Sequence, residues 1–342
     1  MKIEEFDYEL PAFLIAQYPS PKRGGTSLMI LHRQTGGIEH RAFQDITESI
    51  NSEDLLVMNN TRVLPARLIG KKESGGKVEM LLIPPSNGTN GEWRALIKGS
   101  AKLKRKARIE FEQGLEGEVD EVKDGKGKVS FSNRGEVADV LRKIGHIPLP
   151  PYIKRGDEPL DRERYQTVFA EQDGSIAAPT AGLHFTHETL RLLAERGVRT
   201  AMITLHVGIG TFAPIKSSDV ENHTMEAEWV EISEETARKI RDTKARAGRV
   251  IAVGTTTTRA LESFADGQGG VMPGKGLTSL FIYPPYRFRV IDALITNFHL
   301  PRSTLIMLVS ALAGKDLLIK AYQEAIQKKY QFYSYGDAML IL

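Results

Sequence analysis

The chain has 342 residues, with 46 lysines and arginines against 43 aspartates and glutamates, and no cysteine. That length allows two domains with ordinary hydrophobic cores, and the missing cysteines exclude disulfides, thiolate nucleophiles and cysteine-bound zinc together. The net charge of +3 is too small to identify a nucleic-acid partner by itself.

The opening Met1-Lys2-Ile3-Glu4-Glu5-Phe6-Asp7 lacks the apolar core of a signal peptide. No apolar run reaches the ~18 residues of a membrane span, so a cytoplasmic protein without membrane association is expected. Residues 28–31 read as a short buried strand, Thr35-Gly36-Gly37 as its turn, and 43–50 as a weak helix. A strand over 54–58 stops at Asn59-Asn60-Thr61-Arg62, which places side-chain donors and acceptors at a sheet edge.

From about 64 to 133 the texture changes to short alternating runs, 66–71, 77–83, 93–98, 107–112, 117–122 and 127–132. Turns such as Ser74-Gly75-Gly76, Asn87-Gly88 and Asp124-Gly125 separate them. Such even spacing predicts a small antiparallel β-barrel. Within it, Lys98, Lys102, Lys104, Arg105, Lys106 and Arg108 crowd together, as a phosphate track or as a solvated loop. A helix over 136–144 and the proline-broken stretch 146–152 follow, then a helix over 162–168.

Beyond residue 170, strands at 198–205, 249–254 and 292–296 alternate with helices at 186–196, 233–247, 259–264, 303–313 and 316–328. Alternation of this kind predicts an α/β fold: a mostly parallel sheet with helices on both faces, interrupted by the inserted antiparallel β-barrel. The expected division is residues 1–62 and 150–342 for the α/β catalytic domain and 63–149 for the barrel.

Ligands of such sheets bind beyond the carboxyl ends of the strands. Three loops expected there each hold a histidine beside small or hydroxyl residues: Ala177-Ala178-Pro179-Thr180-Ala181-Gly182-Leu183-His184-Phe185-Thr186, Leu205-His206-Val207-Gly208, and Thr296-Asn297-Phe298-His299-Leu300-Pro301-Arg302-Ser303-Thr304. Neutral imidazoles at helix starts suit general acid–base duty. His184, His187, His206 and Glu226 are also possible metal ligands by residue type, without a His-Glu-x-x-His spacing. Gly208-Ile209-Gly210 lacks the third glycine of a dinucleotide fingerprint. Gly254-Thr255-Thr256-Thr257-Thr258-Arg259 reads as strand, loop and helix start, suited to a carboxylate or phosphate, or simply to capping. Asp337, beside Gly336, reads as a buried hydrogen-bonding residue.

Assembled in order, these loops resemble the S-adenosylmethionine:tRNA ribosyltransferase-isomerase family of queuosine biosynthesis. The likeness also takes in Asp7-Tyr8-Glu9-Leu10-Pro11, Pro148-Leu149-Pro150-Pro151-Tyr152-Ile153 and Ser334-Tyr335-Gly336-Asp337-Ala338-Met339. Ser27, Ile209, Glu226 and Thr257-Thr258 depart from the family pattern. The resemblance implies transfer and isomerisation of the ribosyl part of S-adenosylmethionine onto the aminomethyl-deazaguanine of a tRNA wobble position. The products are epoxyqueuosine-tRNA, adenine and methionine. It further implies a monomer with no metal and no cofactor, S-adenosylmethionine being consumed as substrate.

On this basis His184, His206 and His299 are the candidates for acid and base. Asn59, Asn60 and Thr61 are candidates for holding ribose or base, and Gly254, Thr255, Thr256 and Arg259 for the methionine carboxylate. Arg62 and Arg302 are candidates for a phosphate. Thr180, Gly182, Gly208, Asn297 and Asp337 complete the expected binding set. Two rival readings rest on the same residues: a metal-dependent hydrolase built on the histidines, and a non-catalytic tRNA-binding protein built on the barrel.

Overall fold

In chain order the strands are β1 (Ser27–His32), β2 (Gly37–Ala42), β3 (Leu55–Asn59), β4 (Thr61–Val63), β5 (Arg67–Lys72), β6 (Lys77–Ile83), β7 (Glu92–Lys98), β8 (Ala107–Phe111), β9 (Glu116–Lys123) and β10 (Lys126–Phe131). They continue as β11 (Gln172–Ser175), β12 (Arg199–Leu205), β13 (Glu228–Ile232), β14 (Val250–Val253), β15 (Gly274–Thr278), β16 (Ala293–Asn297) and β17 (Ala338–Ile341). The computed structural model describes all residues except 84–91, 100–102, 104, 132–136, 209, 211–214 and 216. The turn Asn87-Gly88, Lys102, Lys104, Ile209 and the expected helix start at 136 therefore lie outside the described residues.

Nine strands form one sheet, ordered β15-β13-β12-β3-β14-β16-β17-β1-β2. Its centre, β12-β3-β14-β16, is parallel, and β17 also runs parallel to β1. The remaining neighbours are antiparallel. Every residue of β3, β14 and β16 is buried, as expected of parallel strands covered on both faces. Alternation sends Leu55, Val57, Val250, Ala252 and Leu294 into one core. Leu56, Met58, Ile251, Val253 and Ile295 go into the other. Helices Glu234–Ala245, Thr255–Ser263, Thr304–Ala313 and Lys315–Gln327 cover the first face, and His187–Glu195 the second.

Local chemistry sets where these helices begin. Thr186, Ser233 and Ser303 each stand before a helix and accept the backbone N–H three residues on, at 3.0, 3.1 and 3.3 Å. Each satisfies one of the donors a helix start leaves open.

Six strands close a separate antiparallel barrel, ordered β10-β7-β6-β5-β8-β9, around its own core of Leu68, Val78, Met80, Ile109, Val119 and Val129. Gly70 is required there, because a Cβ would lie 2.7 Å from Phe111 Cδ1 and 2.8 Å from Glu110 O. Of the basic cluster, Lys98 pairs with Glu79 at 3.2 Å and Arg105 with Asp120 at 3.3 Å. Glu226, one of the family departures, receives Lys126 of β10 at 3.4 Å.

Strands β2, β4, β11, β13 and β15 have no counterpart among the expected elements. β2 and β15 are largely half-buried or exposed and have no run of three apolar residues. Their pairing is dictated by the neighbouring strand. The helix expected over 162–168 runs instead from Pro159 to Arg164, with proline in its first turn.

Candidate active site

The four parallel central strands all end at one edge of the sheet. Because β17 runs antiparallel to β16, its first residue Ala338 lies opposite Asn297, and β1 begins beside it. The loops after β14 and β16 therefore meet residues from the start of the chain and from its far end. Beyond this edge lies a cavity of about 640 Å³. Thr180, Gly254, Thr255, Thr256, Asn297, His299 and Arg302 line it, with Tyr152, Tyr333, Ser334 and Glu4 among the other walls.

Asn297 is the junction of the site. It is 2% exposed at the end of β16. Its Oδ1 accepts from Thr180 Oγ1 at 2.8 Å, and its Nδ2 donates to His184 Nε2 at 3.0 Å and Asp337 O at 3.5 Å. An amide nitrogen can only donate, so His184 Nε2 carries the lone pair. His184 Nδ1–H then donates to Thr26 Oγ1 at 2.8 Å. Both ring nitrogens are spent on protein, and the imidazole packs on Phe43 at 5.0 Å between centroids. Burial alone pushes its pKa down to about 4, so it is neutral. His184 is buried behind Asn297 and does not line the cavity.

His299 has the opposite arrangement. Its backbone is pinned twice: its N–H donates to Tyr322 Oη at 3.0 Å, and its carbonyl accepts from Tyr8 Oη. Its Nε2 bonds Thr296 Oγ1 at 2.7 Å, and that hydroxyl reaches Asn297 O at 3.3 Å. A carbonyl can only accept, so the Thr296 hydroxyl donates to it and accepts from His299 Nε2–H. His299 Nδ1 then holds a lone pair and has no partner among the described residues. Burial lowers the pKa of this ring to about 3, which keeps it neutral. His299 is the one candidate imidazole that lines the cavity.

His206 points elsewhere. Its Nδ1 bonds Thr61 Oγ1 at 2.7 Å, and its ring stacks on Trp229 at 5.0 Å and 15°. Gly174 lies against the ring so closely that a Cβ there would come within 2.6 Å of it. Burial lowers its pKa, with Asp173 and Glu231 acting in the other direction.

The helix Thr255–Ser263 aims its N-terminus into the cavity. Gly254 supplies a φ of 92°, open to glycine and strained for other residues. Thr257 and Thr258 bond back to Val253 O and Gly254 O at 2.7 and 3.2 Å. Thr255 and Thr256 remain facing the cavity, 6% and 7% exposed. The Thr255 hydroxyl has no partner among the described residues. Unpaired backbone N–H groups and this hydroxyl make a seat for an anion. At the rim, Arg302 takes a φ of 56° and pairs with Asp7 at 2.7 Å.

The other expected residues are used up by the fold. Asn59 makes bonds to Leu205 N, Leu205 O and Thr61 N at 3.0, 2.9 and 3.1 Å, joining β3 to β12. Asn60 holds Glu171 and Thr204. Arg62 reaches Ala170 O at 2.8 Å. Gly182 makes room for Phe169 and Thr167. Arg259 forms a buried ion pair with Glu228, which also accepts from Gly208 N at 2.9 Å. Asp337 clamps the N–H groups of Ser27 and Gln331, both at 2.7 Å. Among the described residues no three histidine, aspartate or glutamate side chains group as a metal ion requires.

Sequence reasoning passed over Tyr152, Tyr333 and Ser334 as site residues. Tyr152 stacks on Tyr333 at 4.5 Å and 23° and bonds Ser334 Oγ at 2.5 Å. Tyr152 stands in Pro148-Leu149-Pro150-Pro151-Tyr152, where two aromatic walls so far apart in sequence leave no local signal.

Residues 3–341 match the profile of the family described as queuosine biosynthesis protein. The chain belongs to that family. Members similar to it include the S-adenosylmethionine:tRNA ribosyltransferase-isomerases of Natranaerobius thermophilus, 50% identical over 100% of this chain and 99% of that one, and of Acetivibrio thermocellus, 51% identical over the whole of both. The crystal structure of S-adenosylmethionine tRNA ribosyltransferase from Thermotoga maritima is also similar, with 38% identity and a TM-score of 0.57 over 99% of this chain and 100% of that one. The family relation thus spans both the α/β layer and the barrel.

Proposed function

We propose that the protein transfers and isomerises the ribosyl part of S-adenosylmethionine onto the aminomethyl-deazaguanine at a tRNA wobble position, yielding epoxyqueuosine-tRNA, adenine and methionine. Full-length relatives at about half identity carry the corresponding name. The observation that carries the reading to this chain's own chemistry is a neutral imidazole, His299, lining a cavity beside a helix N-terminus with one nitrogen unpartnered among the described residues.

The reaction makes three demands. The sulfonium acidifies the ribose C5′ hydrogens, so a base must remove one. Adenine must leave with a proton, and the tRNA amine must be neutral to attack. His299 Nδ1 is the group we assign to proton transfer, Thr296 fixing its tautomer. The start of helix Thr255–Ser263 takes the methionine carboxylate, since it combines unpaired N–H groups with the Thr255 hydroxyl. The stacked pair Tyr152–Tyr333 offers a flat apolar wall to the purine. Arg302, at the rim and exposed, is placed to meet a tRNA phosphate. The reading carries with it a cytoplasmic monomer that consumes S-adenosylmethionine and uses no further cofactor.

The test is product release. Purified protein is incubated with S-adenosylmethionine, with and without tRNA bearing the deazaguanine precursor, and the small molecules are resolved by chromatography. Adenine and methionine appearing only with that tRNA are expected. S-adenosylhomocysteine in their place would make the protein a methyltransferase, and tRNA retention without turnover would make it a binding protein.

A further inference from the structure

We propose that Thr180 is a specificity-determining residue, its hydroxyl held as a fixed acceptor that selects S-adenosylmethionine through an N–H group. This rests on the ribosyl-transfer reading above and adds to it the polarity of one contact. The argument is a count of protons along a single chain of hydrogen bonds, Thr26–His184–Asn297–Thr180.

The chain is pinned by a group that cannot change its role. Asp337 O lies 3.5 Å from Asn297 Nδ2, and a carbonyl only accepts. Turning the Asn297 amide over would set two oxygens against each other at that point. The amide nitrogen therefore faces His184 and Asp337 O, and Asn297 Oδ1 faces Thr180. Oδ1 accepts, so the single proton of Thr180 points at it, over 2.8 Å. What Thr180 has left is lone pairs, and Thr180 lines the cavity. A free threonine hydroxyl rotates to suit either partner; this one is denied that choice. His184 acts here as a positioning residue, holding the amide from behind with both of its nitrogens committed.

A locked acceptor discriminates only against groups that cannot donate. S-adenosylmethionine has N–H donors in two places, the adenine 6-amino group and the α-ammonium. The shared chemistry is an N–H donor, and two analogues separate the sources: one with unsubstituted purine, hydrogen at C6, in place of adenine, and one lacking the α-amino group.

The experiment is calorimetric titration of the full chain and of Thr180→Val and Thr180→Ser with S-adenosylmethionine and both analogues. Thr180→Val is expected to weaken S-adenosylmethionine by about 3- to 100-fold, at the low end for a neutral amine and the high end for an ammonium. Thr180→Ser keeps the hydroxyl and is expected to bind within about threefold of wild type. With the analogue that lacks the relevant donor, wild type and Thr180→Val are expected to bind equally. With the other analogue the full difference remains. A purely structural loss would appear with every ligand alike, so a full difference persisting with both analogues overturns the proposal. Unchanged binding of S-adenosylmethionine by Thr180→Val overturns it as well, while leaving the ribosyl-transfer reading intact. If wild type does not bind S-adenosylmethionine at all, that reading falls, and the assignment of Thr180 falls with it.

Discussion

The loops at residues 177–186 and 296–304 are built alike: each lies at the same sheet edge, holds one buried histidine and leads into a capped helix. They differ in how many partners the imidazole has. His184 is held at both nitrogens by Thr26 and Asn297. His299 is held at one nitrogen by Thr296, and its other nitrogen is left to the cavity. The same side chain is thus a brace in one loop and a candidate base in the other. Saturation of hydrogen bonds, and not residue type or burial, separates the two.

That contrast breaks most sharply under alanine substitution. His299→Ala is expected to lower kcat/KM by about 10²- to 10⁴-fold, as the loss of a general base does, with little change in fold. Adenine release at the wild-type rate would take His299 out of the chemistry. His184→Ala is expected to act first on stability, by about 2–4 kcal/mol, because it opens a void and removes the ring acceptor of Asn297 Nδ2. Urea denaturation measures this, and a midpoint equal to wild type would show that the brace is dispensable.

Acid separates the loops by degree. Both imidazoles are neutral in the folded protein, whereas the unfolded chain takes up their protons from about pH 6.5 downward. Their contribution to stability is complete above that pH. It falls as pH drops, by about 1.4 kcal/mol per unit for each histidine, down to about pH 4 for His184 and about pH 3 for His299. Replacing His184 by Phe is expected to remove one proton's worth of this slope between pH 6 and 4.5. An unchanged slope would mean that His184 is already charged in the folded state. The smallest effect is expected from Thr296→Val, which frees the His299 tautomer and lowers turnover by about fivefold, one net hydrogen bond, without shifting the denaturation midpoint by more than about 1 kcal/mol. Turnover equal to wild type would show that the tautomer is set elsewhere.

Sequence patterns revealed a good deal of this molecule and stopped at a definite point. The apolar runs of β3, β14 and β16 are visible because strands covered on both faces are apolar along nearly their whole length, up to the polar residues at the carboxyl ends of β3 and β16. The edge strands β2 and β15 are not visible, since one is mixed in polarity and the other holds two glycines. The edge that carries the cavity was readable from strand ends, and Thr180, Gly254, Thr255, Asn297 and His299 do meet there. Which way a side chain turns was not readable. Asn59 and Asp337 have the residue types of a binding site, yet backbone N–H groups, near and far in sequence, take all of their oxygens. Three histidines that look equivalent in the sequence are distinguished by Thr26, Thr61 and Thr296, hydroxyls with no pattern to announce them.

The place of β17 has a consequence for how the chain is made. Its four residues lie between β16 and β1, and its parallel partner β1 leaves the ribosome about 300 residues earlier. At typical synthesis rates that is a wait of roughly 15–60 s, during which β1 exposes an unpaired apolar edge. The barrel has all its strands within residues 67–131 and can close during that interval. A polypeptide cut short before Ala338 would retain His299 and the cavity-facing helix start, yet lack the strand that seats β1, with Thr26 on His184, beside the Asp337 carbonyl on Asn297. A chain that stops short of Ile341 therefore lacks the strand that joins β16 to β1, and with it the edge beneath the cavity.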